Sequence, residues 1–127
     1  MSEIEFRETI PILRSFDEHK AKAFYVDYLG FTIDWEHRFE PTLPLYMQVS
    51  RAGLVLHLSE HHGDSCPGST VFVRMVGVGE FHEELTKKNY PNLRPGVGPS
   101  AWNSLCMEVT DPFGNRIRFD EPLAQES

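Results

Sequence analysis

No run of apolar residues in this sequence approaches the ~20 that a membrane-spanning helix needs, so no membrane partner is expected. A basic-then-apolar leader is also missing from the first residues, and the expected compartment is the cytoplasm. Cysteine is scarce. Cys66 and Cys106 lie far apart, in neither a metal-ligand spacing nor a disulfide framework. Reduced thiols are the plainer reading and a single disulfide the alternative. Positive charge is scarce as well: 12 Lys and Arg stand against 19 Asp and Glu, for a net charge of −7. Nucleic-acid binding wants a basic face, so that class of partner is excluded. Ser59 and Ser104 lack the strained turn of a nucleophile elbow, and no glycine-rich phosphate loop is present. Gly77-Val78-Gly79 reads as a strand-to-helix corner instead.

What is present suits a folded globule. Hydrophobic residues make up 40% of 127 and aromatics 12%, enough for one domain spanning residues 1–127 with its own core. The most telling stretch is Asp111-Pro112-Phe113-Gly114-Asn115. Before it, Leu105, Met107 and Val109 alternate with Cys106, Glu108 and Thr110; after it, Ile117 and Phe119 alternate with Arg116, Arg118 and Asp120. Period two on both sides of a Pro/Gly/Asn turn predicts a β-hairpin. Strands are also predicted over Thr9–Arg14, Phe31–Phe39, Leu45–Arg51, Leu54–Glu60 and Thr70–Val76. Ala52-Gly53 makes a tight turn. Asp17 is placed to cap a helix in which Ala21, Phe24, Tyr25, Tyr28 and Leu29 share a face, and Gly30 ends it. A second helix is predicted over Val78–Lys88, followed by a loop-rich stretch from Tyr90 to Pro99. The order strand–helix–strands therefore occurs twice, in modules of about 9–60 and 70–121, with faint similarity between the halves. With one helix for several strands, each sheet hides one face and leaves the other for a ligand.

Asp17 opening the first helix, Phe24-Tyr25 followed by Leu29-Gly30-Phe31, Phe81 and Leu85 in the second helix, and Asp111-Pro112-x-Gly114-Asn115 together resemble the vicinal oxygen chelate superfamily. That superfamily includes glyoxalase I, extradiol dioxygenases and the fosfomycin and bleomycin resistance proteins. The matching features run from Ile10 to Glu121. The first strand, with Pro11 and no histidine, is most similar to bleomycin resistance proteins. Trp102 stands where those proteins often carry a Trp-Gly pair, although here Asn103 replaces the glycine. The resemblance implies an α+β fold of paired βαβββ modules, forming an open mixed-sheet cup that a second copy completes in a homodimer.

Metal-dependent members place ligands on matched strands. The corresponding positions here are Ile10, Thr70 and Arg118, none of them a His, Glu or Gln, so no metal and no other cofactor is expected at that site. A metal-free cup binds through rings and charges. The candidate ligand-binding residues are Trp35, Phe39, Tyr46, His57, Phe72, Trp102, Glu108 and Arg118. For each ring the plainer alternative is core packing. Arg14, Arg74 and Arg118 share the parity of the cup-lining positions, which leaves the sign of the ligand open. The function implied is sequestration of a toxic compound or antibiotic of the bleomycin type, as a binding protein without turnover. Two alternatives stand beside it. One is a metalloenzyme with a non-standard site built on His57 and His61, from the cluster His57-Leu58-Ser59-Glu60-His61-His62-Gly63-Asp64. The other is a metal-free lyase or isomerase with His57 or Glu108 as general base.

Overall fold

The computed structural model describes residues 3–90, 95–100 and 103–123. Two four-stranded sheets carry the fold. The first unit runs β1 (Ile12–Arg14), α1 (Glu18–Lys22), β2 (Thr32–His37), β3 (Tyr46–Arg51) and β4 (Leu54–Ser59); its sheet has the order β1-β4-β3-β2. The second runs β5 (Thr70–Arg74), α2 (Val78–Lys88), β6 (Val97–Pro99), β7 (Ser104–Thr110) and β8 (Arg116–Pro122), with the order β5-β8-β7-β6. In each sheet the first strand pairs in parallel with the last and the remaining pairs are antiparallel. The fold is thus α+β with two open mixed sheets, as the resemblance implied. No described helix is long and apolar enough to cross a membrane.

Local chemistry sets the helix ends. Asp17 accepts a hydrogen bond from the Lys20 amide at 2.9 Å and caps α1 as expected. The chain then widens into a π-helical turn over Ala23–Tyr28, where the Leu29 amide reaches the Phe24 carbonyl at 2.9 Å. Gly30 leaves this helix at φ 81°, and Asn89 leaves α2 at φ 54°, so both units end their helix with a left-handed residue. The wide turn did not show in the sequence, because apolar spacing does not separate 3.6 from 4.4 residues per turn over six positions.

Three strand boundaries depart from expectation by two residues or more. β1 starts at Ile12 rather than Thr9, β2 ends at His37 so that Phe39 lies beyond it, and β5 ends at Arg74. The loop-rich stretch contains β6, whose three residues pair with Leu105–Met107 of β7. Gly98 and Pro99 disfavour a strand locally, and pairing with β7 overrides that preference.

One core joins the units. Phe24, Tyr25, Tyr28 and Leu29 pack with Met47, Val49, Leu56 and Leu58 of the first sheet and with Leu85, Met107, Ile117 and Phe119 of the second unit. Polar joints reinforce it. Arg51 at the end of β3 donates from both guanidinium nitrogens to the Glu84 carboxylate of α2, at 2.8 Å each, and also to the Leu29 carbonyl at 2.7 Å. The Glu84 carboxyl is held below the ordinary carboxylate range, chiefly by these Arg51 hydrogen bonds; partial burial opposes the shift, and the charges of Arg51 and Lys88 add to it. Glu18 is lowered in the same way, chiefly by the hydrogen bond from Lys22. A carboxyl whose folded pKa is depressed stabilises the fold above its unfolded value and loses that contribution as pH falls through the folded value. The urea midpoint is therefore expected to fall from about pH 5 to about pH 3. Glu84→Gln is expected to flatten part of that dependence.

The β3–β4 turn offers a stabilising change. Ala52 and Gly53 have φ 49° and 96°, the positive values of a type I′ hairpin turn. Ala52 carries a Cβ in a region that favours Asn or Gly. Ala52→Asn is expected to raise the unfolding free energy by about 0.5–1 kcal/mol, measured by urea unfolding.

Candidate functional site

Pleating divides the residues of the first sheet between two faces. Met47, Val49, Leu56 and Leu58 enter the core, while Tyr46, Gln48, Ser50 and His57 project from the opposite face. Trp35 should by simple alternation follow Ile33 towards the core. A β-bulge prevents this. Ile33 pairs with Val49 but Trp35 pairs with Gln48, so Asp34 is an extra residue. The bulge puts Asp34 and Trp35 on the same open face as Gln48. Trp35 stays 42% exposed.

The result is a wall of rings. Trp35 and Tyr46 are parallel within 6°, their centroids 6.0 Å apart. The His57 ring meets both edge-on, at 5.3 and 5.1 Å. His61 extends the wall, 6.3 Å from Tyr46, and Phe39 stands edge-on to His61 at 6.5 Å. Phe39 is 74% exposed, so it marks the rim. A hydrogen-bonded chain runs beneath the rings. The Tyr46 hydroxyl lies 2.7 Å from His57 Nδ1, and His57 Nε2 lies 2.9 Å from Gln48 Oε1. Gln48 Nε2 donates to Asp34 Oδ2 at 3.0 Å, and the Ser50 hydroxyl donates to Asp34 Oδ1 at 3.0 Å. These two donors hold the Asp34 carboxyl below its ordinary range. Burial pushes the His57 imidazole down. The Tyr46 phenol is pushed up, first by burial and then by the negative charge of Asp64.

The open face of the second sheet is different in kind. Arg118 and Glu108 are direct cross-strand partners, with Nε donating to Oε1 at 2.8 Å; Arg116 stands 3.9 Å from the other carboxylate oxygen. The Arg74 guanidinium lies 5.7 Å from the centre of the Phe72 ring, and Phe72 pairs in register with Arg118. Arg14 donates to the His61 carbonyl at 2.8 Å and covers the Phe16 ring. Arg14, Arg74 and Arg118 thus have protein contacts of three different kinds. Of the carboxylates near the rings, Glu36 is paired with Lys22, and Glu60 accepts from the Leu45 amide.

The candidate residues therefore fall into two sets. Trp35, Tyr46 and His57 meet on the first sheet, with Phe39 at the rim. Phe72, Glu108 and Arg118 share the second sheet. Trp102 lies outside the described residues. A concavity of about 1060 Å³ lies between the units and contains Phe72, Arg74, Val76 and Phe81 beside the Arg51–Glu84 pair, but none of the ring wall. The wall is open to one side rather than a closed pocket. Of the three positions compared with metal-site ligands, Ile10 precedes β1, and Thr70 lies opposite Arg116, so it is not in register with Arg118. Among the described residues no three His, Cys, Asp or Glu side chains converge to hold a metal ion. Both ring nitrogens of His57 are engaged by Tyr46 and Gln48. Cys66 and Cys106 are free thiols.

Sequence reasoning missed the relay through Gln48 and Asp34. A signal for it existed. A two-residue turn at Ala52-Gly53 sets Arg51 opposite Leu54, and counting outward puts Gln48 opposite His57.

Comparison with known proteins places this architecture in a family. The profile described as "Glyoxalase superfamily protein" matches residues 1–126, and the chain belongs to that superfamily. Solved structures with the same fold include a bleomycin-binding protein in complex with bleomycin: TM-score 0.71, 21% identity, 93% of this chain and 100% of that one covered. The bleomycin-binding protein of bleomycin-producing Streptomyces verticillus, in complex with copper(II)-bleomycin, gives 0.71 at 24% identity over 97% and 100%. TnmS3, an antibiotic-binding protein from Streptomyces sp. CB03234, gives 0.72 at 22% identity over 95% and 100%. A search of curated protein sequences finds no match.

Proposed function

We propose that this chain is a small-molecule binding protein that sequesters an antibiotic or toxic aromatic compound of the bleomycin type, without turnover. Its ligand would lie in a groove between two copies of the chain, with the first sheet of one copy facing the second sheet of the other. The observation that carries the reading is the wall of Trp35, Tyr46 and His57, turned outward by a bulge whose ordinary alternative would bury the tryptophan. An exposed stack of rings on a sheet face is a surface for planar ligands. Phe72, Arg118 and Glu108 of the facing sheet would supply the second side. The likeness of fold to bleomycin-binding proteins adds to this reading. Titration calorimetry with bleomycin tests it. The expected result is one ligand per chain with a micromolar or tighter Kd; no heat at about 20 µM protein would reject that ligand class.

A further inference from the structure

While His57 is neutral, the relay beneath the ring wall has only one consistent assignment of its protons. Asp34 accepts from Ser50 and Gln48, and an ionised carboxylate can only accept. Gln48 must therefore turn its amide NH2 towards Asp34 and its carbonyl oxygen towards His57. That oxygen needs a donor, so the His57 proton sits on Nε2. Nδ1 is left with a lone pair, and the Tyr46 hydroxyl, 2.7 Å away, must donate to it. The phenolic proton is committed inward. Whatever approaches Tyr46 from the open side meets lone pairs only.

We infer that Tyr46 is the specificity-determining residue of this wall, and that the subsite takes planar aromatic groups bearing a hydrogen-bond donor. The inference rests on reading the first sheet's open face as the ligand wall. Trp35 supplies the parallel ring and Tyr46 the acceptor, its direction fixed through His57 of β4 by Gln48 on its own strand and Asp34 on β2. The charged and titratable groups around His57 are few. Asp34 acts through Gln48 from β2, and Tyr46 touches it from β3. Across β1 its partner is the apolar Ile12, and His61 and Asp64 stand on the loop beyond β4. Protonating His57 would reverse the arrangement. Nδ1 would then donate to Tyr46, and the phenolic proton would turn outward, so the preference for donors belongs to the neutral imidazole. Burial of His57 favours that neutral form.

Indole and benzofuran separate this effect from shape and charge, since they differ mainly in an N–H against a ring oxygen. By NMR titration at about pH 7.5, indole is expected to bind about fivefold more tightly than benzofuran. Tyr46→Phe should bring the two together while Trp35 still reports binding of both. The ratio should also fall as the pH is lowered far enough to put a second proton on His57, which its burial moves to lower pH than for a free imidazole. Nitrogen-15 shifts of His57 should show the proton on Nε2. A proton on Nδ1, equal or tighter binding of benzofuran, or no response of Trp35 and Tyr46 to indole at about 10 mM would each overturn the inference. The two readings fail separately. Silence with bleomycin alongside discrimination of indole rejects the ligand class and keeps the subsite. Binding of bleomycin with the proton on Nδ1 does the reverse.

Discussion

Replacing Asp111 by alanine is expected to lower the unfolding free energy by about 4 kcal/mol, from the loss of several hydrogen bonds to one buried carboxylate. Asp111 is 5% exposed. Its Oδ1 accepts from the Phe113 and Asn115 amides at 2.9 and 2.8 Å, which folds the Pro112–Gly114 turn. Its Oδ2 accepts from the Tyr25 hydroxyl at 2.6 Å and from Asn115 Nδ2 at 2.9 Å. Tyr25 belongs to the first unit's helix, and Asn115 also donates to the Arg14 carbonyl at 2.8 Å, so the turn of β7–β8 is bonded twice to the other unit. Alanine would strand four donors, the buried Tyr25 phenol among them. That phenol stays a donor at working pH: burial first, and then the Asp111 charge, push it well above its ordinary value. Asp111→Asn should cost less, because one carbonyl oxygen can still receive the two turn amides and the new NH2 can donate to the Tyr25 hydroxyl, leaving the Asn115 NH2 as the one donor it opposes. Urea unfolding of both variants checks the order. A loss below about 1 kcal/mol for the alanine variant would mean that the carboxylate is not the joint between the units.

That turn explains how much could be read without coordinates. Asp111-Pro112-x-Gly114-Asn115 announces itself through φ preferences and short-range side-chain bonds, as do the Asp17 cap and α2, whose span Val78–Lys88 agrees residue for residue with the expectation. Features that depend on a neighbouring strand were not legible. β6 exists because β7 offers it partners, against the preferences of Gly98 and Pro99. The bulge at Asp34 exists because Trp35 and Gln48 pair, and nothing in Ile33-Asp34-Trp35-Glu36 marks an extra residue. Trp35 and Phe39 sit at even spacing in the sequence, as on one face of one strand, but β2 is interrupted by the bulge and ends at His37, before Phe39. The arginines were raised as an ambiguity about ligand charge. Arg118 lies on Glu108, which leaves less unpaired positive charge on the second sheet than the sequence suggested.

Trp35→Ala is expected to weaken bleomycin binding by about 10–100-fold, the loss of one ring contact worth ~1–3 kcal/mol. Folding should change little, since Trp35 is outside the core and its neighbours Tyr46 and His57 keep their own hydrogen bonds. Phe72→Ala should weaken binding as well, although Phe72 lies on the other sheet. Together these substitutions test the proposed two-copy groove more sharply than either alone. If each groove takes its first sheet from one copy and its second sheet from the other, a mixed dimer of the two variants has one groove with both lesions. Its second groove has neither. Such a mixed dimer, purified through two different tags, should therefore regain one tight site for every two chains, although neither parent dimer has any. Were each copy to bind alone, with Trp35 and Phe72 serving one ligand in the same chain, every site in the mixture would carry one lesion. No tight site would then return. Calorimetric stoichiometry distinguishes the two outcomes directly, because the first gives half-occupancy at the unmodified Kd and the second gives only weak binding.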